Sequence, residues 1–181
     1  MEKYIIDLKD NEACKLSISG GKGSNLSRLH NIPGIPVPDG FVVSAKGYGD
    51  LILSVPEIKD LLFQLAKLTS DQPKAISQLS KQIRGTIEKI SFPFKLTEEI
   101  AKALSRHGDS FPYAVRSSAT AEDLPGASFA GQQDTFLNVV GHKNICGAIS
   151  AGHLQMMTDT ILPLGISMLQ KSAFFLERKG M

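Results

Sequence analysis

A block of helical periodicity in the middle of the chain places the strongest constraint on the fold. Across residues 56–107, apolar side chains recur every three or four residues, which is the spacing of one face of an amphipathic helix. Pro73 divides the block, and Thr97 can cap a helix with Glu98 and Glu99 in its first turn. We therefore predict three amphipathic helices without chemistry of their own. The apolar positions of the first two helices are Ile58, Leu61, Leu62, Leu65 and Leu68, then Ile76, Leu79, Ile83, Ile87 and Ile90.

The segments on both sides of this block contain short apolar runs instead. Two of these runs precede the block, at residues 4–8 and 41–43, and two follow it, at residues 113–116 and 134–139. Each run is too short for a helix and is bounded by glycine, proline or other turn residues. We predict one strand at each of the four positions.

Further helices are predicted outside the block. Residues 22–29 have leucines at helical spacing after a glycine-rich turn. Ser44 is placed to cap a helix that begins near Ala45. An apolar helix is predicted from Lys143 to about Met157, and one more helix over the last sixteen residues of the chain.

The glycine-rich turn is the first candidate binding site. Gly20, Gly21 and Gly23 surround Lys22, so backbone amides, a cation and a predicted helix N-terminus occur together, which suits a phosphate. The turn is not a Walker A loop, because Leu16 stands where the first glycine belongs and Gly23 replaces the Ser or Thr that binds magnesium. The alternative is a tight strand-to-helix turn with an exposed lysine. The glycine-rich motif considered alone favours this alternative.

Arg116 is the second candidate. It ends an apolar run and precedes Ser117 and Ser118. An arginine can hold a phosphate through two parallel hydrogen bonds while neighbouring hydroxyls bind the remaining oxygens. The alternative is a surface ion pair between Arg116 and Glu122 or Asp123.

The third candidate is the loop of small residues at 126–131, which contains Phe129. Such a loop can fold over a nucleotide and exclude water, although an ordinary hairpin tip has the same composition. Three motifs compatible with an anion on one short chain favour a nucleotide-phosphate site. The four histidines have no context that indicates a nucleophile or a metal ligand, and two cysteines cannot complete a zinc site.

Charge and hydropathy exclude several classes of protein. Lysine and arginine number 20 against 18 aspartates and glutamates, so the net charge of +2 favours neither nucleic acid nor an anionic membrane as a partner. No apolar stretch is long enough to span a bilayer. The first residues lack the apolar core of a secretory signal, so we expect a cytoplasmic protein.

At the candidate sites the sequence resembles the N-terminal nucleotide-binding domain of the phosphoenolpyruvate synthase and pyruvate phosphate dikinase family. The similar segments are residues 20–26, 35–41 and, most specifically, 114–138. The three-helix insertion at 56–107 is most similar to that of the rifampicin phosphotransferase branch. The resemblance implies the first subdomain of an ATP-grasp fold, with an α+β or α/β architecture.

The resemblance also implies a domain division and a set of ATP-binding residues. Residues 1–141 correspond to the ATP-binding subdomain, and residues 142–181 form a divergent helical tail similar to a downstream linker. Lys22 and Arg116 match the phosphate-binding pair of the family. The positions that match the lid and the nucleotide contacts are Gly131, Thr135 and Phe136.

The activity implied by the resemblance is that of a dikinase-type phosphotransferase using ATP and Mg²⁺. In full-length members ATP gives its β-phosphoryl to a histidine on a swivelling domain, leaving AMP and phosphate. That histidine then phosphorylates pyruvate or, in the antibiotic-modifying branch, a rifamycin. The resemblance assigns no catalytic residue and no metal ligand to this chain.

After Gly141 the sequence departs from the family. The second ATP-grasp subdomain, with the acidic magnesium ligands, and the histidine domain have no counterpart in these 181 residues. This pattern indicates an internal deletion or a remnant gene, so we expect a half-site with weak or no ATP binding and no turnover. The alternatives are a non-catalytic interaction module and a split enzyme whose missing half lies on a separate chain. The sequence does not identify the phosphoryl acceptor.

Overall fold

The computed structural model describes residues 3–69, 71–119, 123–124, 127–128, 135–156 and 172–178. Its strands and helices alternate along the chain around a central helical block, and a short 3-10 turn precedes the first helix. In chain order they are β1 (Ile5–Asp7), α1 (Leu16–His30), β2 (Gly40–Val43), α2 (Ala45–Leu53), α3 (Pro56–Leu65), α4 (Pro73–Ile87), α5 (Phe94–His107), β3 (Tyr113–Ala119), β4 (Asp123–Leu124), β5 (Ala127–Ser128), β6 (Thr135–Val139), α6 (His142–Met156) and β7 (Ser172–Arg178).

The main sheet has five strands in the order β1-β2-β7-β3-β6. Every pair of neighbouring strands in it is antiparallel. An antiparallel sheet with its helices segregated on the faces is an α+β architecture, whereas an α/β fold requires parallel strands joined by crossover helices. The α+β prediction is confirmed. Strands β4 and β5 form a separate antiparallel pair.

The last sixteen residues were predicted to be helical, and the structure corrects this. Within them β7 lies between β2 and β3 and pairs with both. A short apolar run is compatible with either a buried strand or a helix, so periodicity does not decide between them. Here the strand forms because β2 and β3 each offer a row of backbone donors and acceptors that only an extended segment can pair.

The two faces of the sheet are covered by different helices. One face packs against α2 to α6 and forms the main core, to which the central strands contribute Phe41, Val115, Phe174 and Leu176. The opposite face packs against α1 in a smaller cluster of apolar residues. The strand β7 is buried on both faces, because Phe174 and Leu176 lie in the main core and Ala173 lies beneath α1.

The three helices predicted for the central block are confirmed as α3, α4 and α5. Their most buried residues, Ile58, Ile83 and Ile100, are fully inaccessible to solvent. The proline at the first position of α3 and of α4 removes an amide that has no partner inside the helix. No helix in the described part of the chain combines the length and the apolar character needed to cross a bilayer.

Two predicted helix caps have different outcomes. Ser44 caps α2 as predicted, since the amide of Gly47 donates a hydrogen bond to its hydroxyl over 3.2 Å. Thr97 does not cap α5, which begins earlier, at Phe94. Its hydroxyl instead donates to the carbonyl oxygen of Pro93 at 3.2 Å, and Pro93, four residues earlier, occupies the N-cap position.

The pairing of β7 with β2 predicts a steric effect at Gly40. A Cβ atom at this position would overlap the backbone carbonyl of Leu176, so Gly40→Ala must push β7 away from β2. We expect the free energy of unfolding to fall by about 3 kcal/mol, as for a severely overpacked core position. Denaturant titration followed by circular dichroism measures the change.

Gly85→Ala is the matched control for this substitution. Gly85 lies inside α4, and a Cβ atom there would meet no neighbouring atom within 4 Å. Alanine is the better helix former by about 1 kcal/mol, so this variant should be at least as stable as the unmodified chain. Equal stability of both variants would contradict the close approach of β7 to β2.

Candidate functional site

The candidate site begins at a break in α1. Gly20 has φ 67° and ψ −177°, values that no residue inside a regular helix adopts, and the chain resumes helical geometry after it. A Cβ atom on Gly20 would overlap the backbone of Ser118 in β3, so the positive φ and the close approach both require glycine. The helix predicted at residues 22–29 is confirmed as the part of α1 after this break.

The start of this second helical part is fixed to β3. The amide of Gly23 donates a hydrogen bond of 3.1 Å to the hydroxyl of Ser118, and both atoms are buried. This contact corrects one expectation from the sequence, because the Gly23 amide is used for packing and is not left for a phosphate. Ser117 is also buried, with 2% of its surface exposed.

Lys22 and Arg116 lie beside the same segment of β3. The ammonium group of Lys22 donates to the carbonyl oxygen of Ser117 at 3.4 Å, which places it next to the residue that follows Arg116. Arg116 and Ser118 are two positions apart on a strand, so their side chains leave the same face of the sheet, the face that α1 covers. The structure therefore places both cations that the sequence singled out beside the same part of β3.

The other predicted site residues are divided between the two faces. Thr135 is the cross-strand neighbour of Arg116, and its exposed side chain projects to the same face. Phe136 pairs with Val115, and its ring packs against the main core on the opposite face. Gly131 lies outside the described residues, so the structure does not place it relative to Arg116.

Most of the predicted lid also lies outside the described residues. Of the loop at 126–131 the structure describes Ala127 and Ser128, which form β5 and pair with β4.

An acidic residue that the sequence did not single out lies at the site. The Oε1 atom of Glu177 in β7 is 3.3 Å from the Nε atom of Arg116, and only 17% of the glutamate side chain is exposed. Of the two acidic partners considered from the sequence, Glu122 is outside the described residues and Asp123 belongs to β4. No feature of the sequence indicated Glu177 as a residue of the site, because its position depends on the pairing of β7 with β3.

The histidines whose side chains the structure describes have structural partners. His107, at the end of α5, contacts the carboxylate of Asp7 in β1. The imidazole of His30 lies 3.5 Å from the carboxylate of Asp39. No group of three or more His, Cys, Asp or Glu residues that could hold a metal ion occurs among the residues described.

One cysteine lies next to a histidine in α6. The Sγ atom of Cys146 is 3.6 Å from Nε2 of His142, which in turn lies 3.1 Å from the carbonyl oxygen of Thr97. Burial raises the pKa of the Cys146 thiol to about 11. A reactive cysteine has a lowered pKa, so the surroundings of the half-buried Cys146 favour a packing role over that of a nucleophile.

Comparisons with known proteins agree on one family. Residues 16–160 match the family model described as the pyruvate phosphate dikinase AMP/ATP-binding domain. The chain is 46% identical over 159 residues to the rifampicin phosphotransferase of Bacillus cereus, covering 88% of the chain and 18% of that protein. A rifampicin phosphotransferase of Streptomyces sviceus is 44% identical over 158 residues, 87% of the chain and 18% of its own length.

A more distant relative widens the comparison beyond the antibiotic-modifying enzymes. The probable phosphoenolpyruvate synthase of Methanocaldococcus jannaschii is 40% identical over 148 residues, covering 79% of the chain and 12% of that protein. The chain thus spans less than a fifth of the length of these relatives.

The contact between Gly23 and Ser118 predicts a loss of stability in Ser118→Ala. This substitution leaves a buried amide without its acceptor, which costs about 1–3 kcal/mol. Ser105→Ala is the control, because the Ser105 hydroxyl is exposed and bonds only within its own helix. Urea unfolding of both variants measures the difference. If Ser118→Ala is as stable as Ser105→Ala, α1 is not fixed to β3 by this bond.

The burial of Cys146 predicts slow alkylation. In a Cys14→Ser variant, we expect iodoacetamide at pH 8 to modify Cys146 at least about 100-fold more slowly than free cysteine, because little thiolate is present. Mass spectrometry of timed samples gives the rate, and denatured protein provides the fully reactive control. A native rate equal to that of free cysteine would mean that the thiol is activated.

Proposed function

The chain belongs to the family of the pyruvate phosphate dikinase AMP/ATP-binding domain, and from this premise we propose that Lys22 and Arg116 hold the phosphates of ATP. The observation that carries the proposal is the position of the Lys22 ammonium group, 3.4 Å from the backbone oxygen next to Arg116. Two cations from distant parts of the chain thus meet at one strand. A planar guanidinium and a flexible ammonium are the usual side-chain ligands of phosphate oxygens.

The surroundings of the two cations fit a phosphate in part. Thr135 can donate its hydroxyl on the same face, while the Gly23 amide already has a partner in Ser118. One amide of the glycine-rich turn is therefore lost to a phosphate, and side chains would have to supply more of the contacts. Arg116 is 39% exposed, and a charge pair this open to water contributes about 1 kcal/mol or less. These features favour weak binding.

The proposed role is that of one half of an ATP-grasp cleft in a dikinase-type phosphotransferase. The other half would be supplied by further polypeptide, on a separate chain or as part of a longer protein, and that polypeptide would also determine whether pyruvate, a rifamycin or another molecule accepts the phosphoryl group. Mg²⁺ would arrive with ATP, and the described residues contain no carboxylate cluster to which we can assign it. Phosphoryl transfer depends on metal and positioned cations together, so we expect no turnover by these residues alone.

Calorimetric titration with ATP and Mg²⁺ tests the proposal. We expect the unmodified chain to bind with a Kd on the order of 1 mM, and Lys22→Ala to bind several-fold more weakly because one of two phosphate ligands is lost. Lys102→Ala is the control, since Lys102 is exposed on α5 and pairs with Glu98. It should bind ATP like the unmodified chain.

The possible outcomes distinguish the location of the ATP site from the affinity of that site for ATP. Equal binding by Lys22→Ala and Lys102→Ala would overturn the assignment of Lys22. Micromolar binding that Lys22→Ala abolishes would support the site but contradict the expected weakness of a half-site. Release of AMP in the same samples, followed by ³¹P NMR, would contradict the absence of turnover.

A further inference from the structure

The register of β7 places Glu177 at the proposed phosphate site. Glu177 pairs with Gly40 on β2 and with Ala114 on β3. On β3 the side chains of Ala114 and Arg116 leave the same face. The glutamate is thus the diagonal neighbour of Arg116, and its largely buried carboxylate lies 3.3 Å from the guanidinium.

The Glu177 carboxylate is close enough to the Arg116 guanidinium to offset its charge. The Nε and Oε1 atoms form an ion pair but not an aligned hydrogen bond. A misaligned contact at this distance still cancels much of the charge, because the electrostatic attraction does not depend on the angle.

Glu177 also lies outside the part of the chain that matches the family. The matched residues, 16–160, include both Lys22 and Arg116, whereas β7 begins at Ser172. The carboxylate is therefore brought to the site by a strand that is not part of the matched domain.

We propose that Glu177 is an internal counterion of Arg116 that weakens the binding of polyphosphates at this site. The inference rests on the proposed function, because it assumes that Lys22 and Arg116 bind phosphate. Glu177 adds one negative charge beside the two cations. An anion that approaches the guanidinium meets a carboxylate at contact distance, and the repulsion is only partly screened because that carboxylate is largely buried.

Titration of ATP and Mg²⁺ into Glu177→Gln tests the inference. Glutamine keeps the shape of the side chain and removes its charge, so we expect the Kd to fall about three- to tenfold. Glu98→Gln is the control, because it changes the net charge equally at an exposed position on α5. It should leave the Kd unchanged. Thermal unfolding of each variant checks that β7 remains in the sheet.

An Arg116→Gln background shows whether the effect passes through the arginine. Because the carboxylate repels an approaching phosphate directly, adding Glu177→Gln to Arg116→Gln should still raise the ATP affinity, and no gain there would contradict the repulsion. Unchanged or weaker binding by Glu177→Gln would overturn the counterion role, while a loss of binding in Lys22→Ala would still support the proposed function. If neither the unmodified chain nor Glu177→Gln binds ATP at millimolar concentration, both proposals fail.

Discussion

The pairing of β7 between β2 and β3 is the interaction on which the rest of the structure depends. Both edges of β7 are hydrogen-bonded, and its two faces contribute to both apolar clusters, with Phe174 on one side and Ala173 on the other. Without this strand the facing edges of β2 and β3 would hold buried donors and acceptors without partners, which is costly in a protein interior. A strand from the end of the sequence therefore joins the two halves of the sheet.

The same pairing places the charges of the candidate site. Because β3 is held in the sheet by β7, Ser118 is a fixed point to which the start of the second part of α1 is hydrogen-bonded. This contact sets the position of Lys22, the residue before Gly23. The register of β7 then brings Glu177 to Arg116. One arrangement of the backbone thus sets the positions of the two cations, which suit a phosphate, and of the carboxylate, which opposes one.

Because the chain belongs to the dikinase AMP/ATP-binding family, we interpret this arrangement of charges in terms of ATP binding. The relatives are several times longer than the chain, so the activities in their names belong to much longer polypeptides. Under our proposal, these residues contribute two cations of an ATP site that is partly open to solvent. In water the electrostatic attraction of two such cations is small, and a second wall that excludes solvent would strengthen it.

Lys22 and Arg116 were singled out by separate motifs and were paired by the resemblance to the dikinase family. The sequence by itself determined the three helices of the central block and the α2 cap at Ser44. These features are local, because a helical face, a cap or a strand is encoded in residues a few positions apart. Only the tertiary structure decided that the tail forms a strand, that Phe136 faces the main core and that Glu177 lies beside Arg116. Each of these depends on which backbone edges pair across long separations in sequence, and the period of a short apolar run does not specify its partner.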